Sequence, residues 1–207
     1  MINASGKRVG AIILAAGQAQ RMGCNKMLLP IVGKPMVLHI ADAIAAAGLG
    51  APIVAMGHEH TALAAVFADR PHIAVSVADY ASGMGHSLAA AVAHVPPDWD
   101  AAFICLGDMP YISGNLLSAM AARADPHHIL IPQIDGKNGN PVLWGRHFFA
   151  DLIALRGDSG GRQLFAQHAA FVRHFETSDA AVLHDLDRPE DVIQISLRHT
   201  SSGAKQS

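Results

Sequence analysis

Charge is scarce in this chain. Asp, Glu, Lys and Arg make up 15% of its 207 residues and the formal net charge is −2, where about a quarter charged is ordinary for a soluble domain. Without a basic excess there is no field to draw nucleic acid, so no nucleic-acid partner is expected. Cysteine is scarcer still: Cys24 and Cys105 are the only two. That number excludes a disulfide framework. Cys105, inside an apolar run, reads as a small core residue, and both thiols are expected reduced in a cytoplasmic protein. No stretch of about 18 apolar residues is free of charges and breakers, so no membrane span is expected. The first eight residues, MINASGKR, lack the apolar core of a signal peptide. Thirteen histidines are present, yet neither His58/His60 nor His127/His128 has Cys, His or carboxylate companions at ligand spacing.

Two familiar phosphate loops are missing as well. A Walker loop needs Gly-Lys followed by Ser or Thr ahead of a helix, whereas Gly6-Lys7 precedes the first apolar run and is followed by Arg8. A dinucleotide loop needs G-x-G-x-x-G, whereas Gly17 is followed by Gln18 and Ala19.

What is there is apolar content, 51%, much of it alanine and enough for one sizeable core. Apolar runs alternate with helical patterns. Strands are predicted at Val9–Leu14, Ile53–Met56, Ile73–Val77, Ala101–Leu106 and Ile129–Ile131, with helices at Pro35–Ala47, Glu59–Ala68, Ser87–His94 and Ser113–Arg123. Pro35 opens the first helix and Gly48 stops it; Ser113 suits a cap. Repeated strand–helix–strand units imply an α/β fold, with a mostly parallel sheet and helices on both faces. From Gln133 the rhythm changes. Turn-rich 135–141 leads into apolar Val142–Trp144, then two short helices at 146–155 and 161–167, strands at Phe171–Phe175 and Val182–Leu186, and a last helix at Pro189–Leu197. This stretch is expected to form a small substrate-facing lobe over the strand ends. The polar tail 200–207 is expected to be disordered.

Five segments carry the chemistry. In the first, the strand Val9–Leu14 runs into small residues, Ala15-Ala16-Gly17, and Arg21, Gly23 and Lys26 follow within ten positions. Small residues let backbone N–H groups approach a ligand, and two cations beside them suit a polyphosphate. The segment predicts a nucleoside triphosphate at the carboxyl end of the first strand, where open α/β sheets bind ligands. The second, Cys105-Leu-Gly-Asp-Met-Pro110, ends a strand in Asp108, a carboxylate suited to Mg²⁺ with waters and phosphates completing the shell. The third, Asp185-Leu-Asp187-Arg-Pro-Glu-Asp191, caps the helix opened by Pro189. It also offers a second metal ligand, Asp187 ahead of Asp185. The fourth is the Gly-rich turn from Asp79 to Ser87, with Gly83 inside it, whose open amides suit base, ribose or phosphate. The fifth comprises Gly139-Asn140-Pro141 and Gly157-Asp158-Ser-Gly160-Gly-Arg162, turns at the lip of a pocket where Arg162 grips an anionic second substrate.

The arrangement LAAG-x-x-x-RMG-x-x-K, with GM-x-x-SL, GDMP, G-N-P-V, GD-x-GGR and D-x-D-x-PED in this order over residues 9 to 195, resembles the MobA-like nucleotidyltransferases, and within them the molybdenum cofactor cytidylyltransferases. The resemblance implies a Rossmann-like nucleotidyltransferase fold in a single domain, 1–199. Residues 9–132 would be its nucleotide-binding half and 133–199 its acceptor-binding half. It implies transfer of CMP from CTP to the phosphate of molybdopterin, with Mg²⁺ as cofactor and pyrophosphate released. Leu14, Ala15, Ala16, Gly17, Arg21, Gly23 and Lys26 would bind the nucleotide. Gly83 and Ser87 would flank base and ribose. Asp108 would hold the metal with Asp187, and Arg21, Lys26 and Asp108 would be catalytic. Asn140, Asp158, Gly160 and Arg162 would meet the acceptor. The double alanine of LAAG points to CTP, since the guanylyl branch more often has LAGG. Relatives often carry asparagine just before the aromatic of the fourth segment; here Asp79 stands in that role. GTP, or a sugar phosphate as acceptor, is the enzymatic alternative. A non-catalytic cofactor chaperone is the other, and a molybdoenzyme or its chaperone is the expected recipient.

Overall fold

The computed structural model describes Ile2 and residues 6–17, 25–158 and 160–186. Its elements run β1 (Val9–Leu14), β2 (Pro30–Ile31), β3 (Lys34–Pro35), α1 (Met36–Ala46), β4 (Ile53–Met56), α2 (His60–Val66), β5 (Ile73–Ser76), α3 (Met84–Val92), β6 (Ala101–Leu106), α4 (Gly114–Ala121), β7 (Ile129–Ile134), β8 (Lys137–Asn138), β9 (Val142–Gly145), α5 (Phe149–Ile153), α6 (Leu164–Gln167) and β10 (Val172–Glu176). The main sheet has the order β10-β7-β9-β6-β1-β4-β5, with β8 paired to β7 beside it. β1 pairs in parallel with β4 and β6, β4 with β5, and β7 with β10. β9 alone runs antiparallel within the ordered path, between β6 and β7.

The sheet is buried on both faces at its centre, so β1 and β4 read as unbroken apolar runs rather than alternating ones. Successive side chains still go to opposite layers. Ile13, Val54 and Phe103 pack under α1, α2 and α4, with Ile44, Leu63 and Leu117. Ile12, Ile53 and Ile104 pack under α3, α5 and α6, with Leu88, Leu152 and Leu164. Burying each such Ile or Leu contributes about 1.5–3 kcal/mol, so both layers are held by the same strands. β5 sits at the edge and is mostly exposed, with only Val75 fully buried.

The first seven predicted elements match the observed ones to within a few residues. Four differences have local causes. Helix α3 starts at Met84, not Ser87, because the turn at Gly83 delivers the chain directly into helical geometry and His86 N already donates to Gly83 O at 3.2 Å. β7 continues past Ile131 to Ile134, because β8 pairs with Gln133 and Ile134, and β10 with Pro132 and Gln133. The region 146–155 opens with a 3₁₀ turn, Arg146–Phe148, before α5. The strand expected at Val182–Leu186 is absent. Asp179 caps a 3₁₀ turn, Ala180–Leu183, by accepting from Ala181 N at 3.1 Å. The backbone beyond is used elsewhere: Val182 O accepts from Asn140 N at 2.8 Å, and Leu186 N donates to Asp108 O at 3.0 Å. The chain therefore crosses in front of the sheet instead of extending it. The predicted helix Pro189–Leu197 and the tail lie outside the described residues. No described helix is long and apolar enough to cross a membrane.

Candidate functional site

The site forms where the parallel strands end. β1 and β6 are in register, Leu14 opposite Leu106, so the residues following each strand emerge side by side. Gly107 N donates to Leu14 O at 3.1 Å, which extends the ladder one step into the loops. A Cβ on Gly107 would lie 2.7 Å from Met27 Sδ and 3.1 Å from Leu14 O, so glycine lets the short 3₁₀ helix Lys26–Leu28 rest closely on this loop. Ala15 and Ala16 are buried, Gly17 is exposed, and Ala15 N donates to Ala55 O at 3.0 Å. Ala15 thus continues the β1–β4 ladder one residue past the strand.

Lys26 and Asp108 meet here. Lys26 Nζ is 2.6 Å from Asp108 Oδ2, with both side chains largely buried. Asp108 Oδ1 is buried and has no hydrogen-bond partner among the described residues. A buried carboxylate oxygen without a partner is costly, and it marks a position for a cation or a donor. Asn25, only 2% exposed, precedes Lys26. Its side-chain oxygen accepts from Met27 N at 3.1 Å and its amide donates to His58 O at 3.2 Å.

The pair lines the larger of two adjoining cavities. The larger, of about 510 Å³, is lined by Leu14, Ala16, Gly17, Lys26, Asp108 and Asp185, with Tyr80, Gly83 and Ser87 opposite. The smaller, of about 280 Å³, is lined by Asn140, Asp158, Gly160 and Arg162, over an apolar floor that includes Trp144 and Phe165. The rings of Trp144 and Phe165 stack at 5.6 Å. Leu14, Met84, Leu106, Asp158 and Asp185 line both, so the cavities are one continuous cleft with a waist. The waist is tight. Gly85 N donates to Gly157 O at 2.8 Å. Gly83 has φ +113°, and a Cβ there would lie 2.3 Å from Asp158 Oδ1.

Most predicted site residues therefore converge. Leu14, Ala16, Gly17, Lys26, Gly83, Ser87 and Asp108 line the larger cavity; Ala15 is buried just beneath it. Asn140, Asp158, Gly160 and Arg162, the residues expected to meet an acceptor, line the smaller one together. Asp79 is placed differently. It lines a separate surface cavity with His86 and Arg156, behind the turn, while its neighbour Tyr80 lines the cleft. The reason is the 3₁₀ turn Tyr80–Ser82, which has Asp79 as its leading residue and points the following residues at the cleft. Arg21, Gly23 and Asp187 lie outside the described residues. Asp185, the alternative second carboxylate, lines the cleft. Three residues were not singled out in advance: Asn25, Tyr80 and Met84. Asn25 had a signal, an asparagine one position ahead of a short apolar helical stretch; Tyr80 and Met84 had none beyond lying in a Gly-rich turn.

Among the described residues, the larger cavity has three carboxylates, Asp108, Asp158 and Asp185, and one lysine. A polyphosphate entering that set needs more positive charge, and the partnerless Asp108 Oδ1 is a hard oxygen ligand of the kind Mg²⁺ takes along with waters and phosphates. The donor set fits a divalent cation held partly by substrate. No cluster of three His, Cys, Asp or Glu side chains that could hold a metal unaided occurs among the described residues.

Comparison with known proteins bears on the family and the fold. The sequence profile of the MobA-like NTP transferase domain matches residues 11–172. The bifunctional protein GlmU of Heliobacterium modesticaldum is 34% identical over 152 residues, covering 72% of this chain and 31% of that protein. The chain spans about a third of the length of such curated relatives. The crystal structure of Rv0371c from Mycobacterium tuberculosis H37Rv superposes with a TM-score of 0.80 at 25% identity, covering 91% of this chain and 97% of that one. A structure of Rv0371c in complex with manganese gives 0.78 at 25% identity, covering 91% and 98%. A nucleotidyl transferase from Methanothermobacter thermautotroptrophicus, at 22% identity and a TM-score of 0.81, covers 95% of this chain and all of its own, and shares the fold.

Proposed function

The chain belongs to the MobA-like NTP transferase family, and on that premise we propose that it transfers CMP from CTP to the phosphate of molybdopterin, releasing pyrophosphate. The observation that carries a transfer reaction is the Lys26–Asp108 pair in the larger part of a two-part cleft whose parts share Leu14, Leu106, Asp158 and Asp185. One part is floored by the small-residue loop and the other is lined by Arg162 and Asn140. Two substrates can lie on either side of the shared waist, with the charged pair on the side of the small-residue loop, and holding them in line supplies much of the rate.

In this reading the triphosphate lies along Ala16, Gly17 and Lys26, and the base and ribose lie toward Tyr80, Gly83 and Ser87. Arg162 holds the acceptor phosphate, and the stacked Trp144 and Phe165 form the floor under its apolar part. An acceptor phosphate oxygen attacks the α-phosphorus, and the bond to the pyrophosphate oxygen breaks. No protein nucleophile is required, because a phosphate monoester is anionic at neutral pH. Lys26 stabilises charge on the phosphates as it builds. Asp108, with Asp185 or Asp187, would hold a divalent cation, Mg²⁺ by the resemblance, which when bound supplies further neutralisation of the triphosphate. CTP and molybdopterin rest on the motif resemblance, LAAG and the acceptor segments. The manganese complex of Rv0371c supports a divalent metal.

The test is pyrophosphate release with Mg²⁺ and molybdopterin, comparing CTP, GTP and ATP, then with sugar 1-phosphates in place of molybdopterin. Release with CTP and molybdopterin alone is expected. Release only with a sugar phosphate would replace the acceptor and keep the mechanism. Nucleotide binding with no turnover on any acceptor would move the protein to a chaperone role.

A further inference from the structure

Asn25 falls at an unassigned position of the RMG-x-x-K segment, yet its side chain is one of only two polar ones buried among the described residues, the other being Ser87. It is 2% exposed and makes two hydrogen bonds in different directions. Its oxygen accepts from Met27 N at 3.1 Å and so caps the short helix that begins at Lys26; its amide donates to His58 O at 3.2 Å. Leu28 N closes the same turn onto Asn25 O at 3.0 Å. The helix it caps is only three residues long, so propensity alone does not hold it. Lys26 is its first residue, and Lys26 Nζ reaches Asp108 Oδ2 at 2.6 Å. The loop it ties to, at His58, leads from Gly57, which lies under Tyr80; a Cβ on Gly57 would be 2.6 Å from the Tyr80 Cβ.

We propose that Asn25 is the positioning residue of the phosphate end of the cleft: its side chain fixes where Lys26 stands relative to Asp108 and ties that lysine to the His58–Tyr80 wall across the cleft. The catalytic consequence rests on the transfer reading above; the positioning does not. An amide suits the task because it offers an acceptor and a donor at once. Serine keeps the cap but cannot reach both partners, and alanine keeps neither.

The experiment compares the wild type with Asn25→Ala and Asn25→Ser by two readouts. The first is the rate at which an amine-acylating reagent modifies Lys26, followed by peptide mass spectrometry with Lys137 as the exposed reference. Lys26 is expected to be slow in the wild type, several-fold faster in Asn25→Ala, and intermediate in Asn25→Ser, while Lys137 stays unchanged. The second is steady-state pyrophosphate release. Asn25→Ala is expected to lower kcat by on the order of 10- to 100-fold, with the nucleotide KM moving much less, and Asn25→Ser to recover part of it. Wild-type labelling of Lys26 in a folded Asn25→Ala protein would overturn the proposal. So would a lowered melting temperature with kcat per folded molecule unchanged. Should Asn25→Ala fail to fold, Asn25→Ser decides by the same readouts. A wild type that turns over no acceptor would refute the transfer reading alone, and the labelling would still decide the positioning.

Discussion

Lys26 and Asp108 are 82 positions apart in the chain, and their charged atoms are 2.6 Å apart in the fold. Their meeting follows from the in-register pairing of β1 and β6, which places the loop after each strand at one sheet edge. Because both side chains are largely shielded from solvent, the pair is not screened as an exposed ion pair would be, and losing one partner leaves a poorly solvated charge behind. Asp108→Asn is expected to lower turnover by on the order of 10²–10³-fold and also to lower the melting temperature, since asparagine still accepts from Lys26 but no longer offsets its charge. Pyrophosphate release measured beside a thermal melt checks this; turnover within twofold of wild type would remove Asp108 from the mechanism.

Arg162 lines only the smaller cavity. Arg162→Ala is therefore expected to raise the acceptor KM by roughly 10- to 100-fold, the loss of one or two charge-assisted hydrogen bonds, and to leave the nucleotide KM within a factor of about two. Separate titrations of the two substrates measure this split. An equal effect on both would mean that the cavities do not divide the substrates as described.

Gly83 lines the larger cavity and packs on Asp158, which lines both, in space that only glycine leaves open. At φ +113°, with Asp158 Oδ1 2.3 Å from where a Cβ would stand, Gly83→Ala faces both backbone strain and a clash. A destabilisation of about 2 kcal/mol is expected, with weaker nucleotide binding. Denaturant melts and nucleotide titration read the two effects, and Gly136→Ala, at φ +77° with no atoms near its Cβ position, serves as the strain-only control.

Stability is expected to fall on acidification in two stages. Burial pushes the His39 imidazole below its ordinary value, only partly offset by its bond to Ile31 O. The fold prefers it neutral, so its contribution is present above about pH 6.5 and is lost as pH drops through the lowered value. Burial would raise the Asp42 carboxyl, but hydrogen bonds from Lys34 and Arg70 outweigh it and bring the group below the usual carboxylate range. Its contribution is present above about pH 4 and is lost as pH falls further. His39→Gln should remove the upper stage and Asp42→Asn the lower in melting temperatures recorded from pH 7.5 to 3.5. A wild-type melting temperature that does not fall across this range would contradict both assignments.

Most of the central sheet was legible in the sequence because β1, β4 and β6 are buried on both faces, and continuous apolar runs such as Val9–Leu14 have no other use in a chain this size. Ser113 announced α4 correctly, accepting from Leu116 N at 3.2 Å. Val182–Leu186 misled because local apolarity does not say where backbone hydrogen bonds go. The groups of Val182 and Leu186 bind Asn140 and Asp108, contacts at long sequence separation that no local pattern encodes. Asp79 lies apart from the cleft lining for a related reason: position within a Gly-rich turn does not tell which side of the turn faces the cleft.

The sequence by itself determined the α/β class, the phosphate-type loop at the end of the first strand, and the carboxylate at the end of β6, because short-range rules govern them: strand burial, small residues where backbone meets ligand, acid at a strand's carboxyl end. Only the tertiary structure decided that β9 enters the sheet antiparallel, that residues of the Ala15–Lys26, Gly83–Ser87 and Asp158–Arg162 segments share one cleft with Asp158 at its waist, and that Asn25 stands behind Lys26. Those outcomes depend on strand register and on close approach between loops remote in the chain, which exist only once the two helical layers have closed on the sheet.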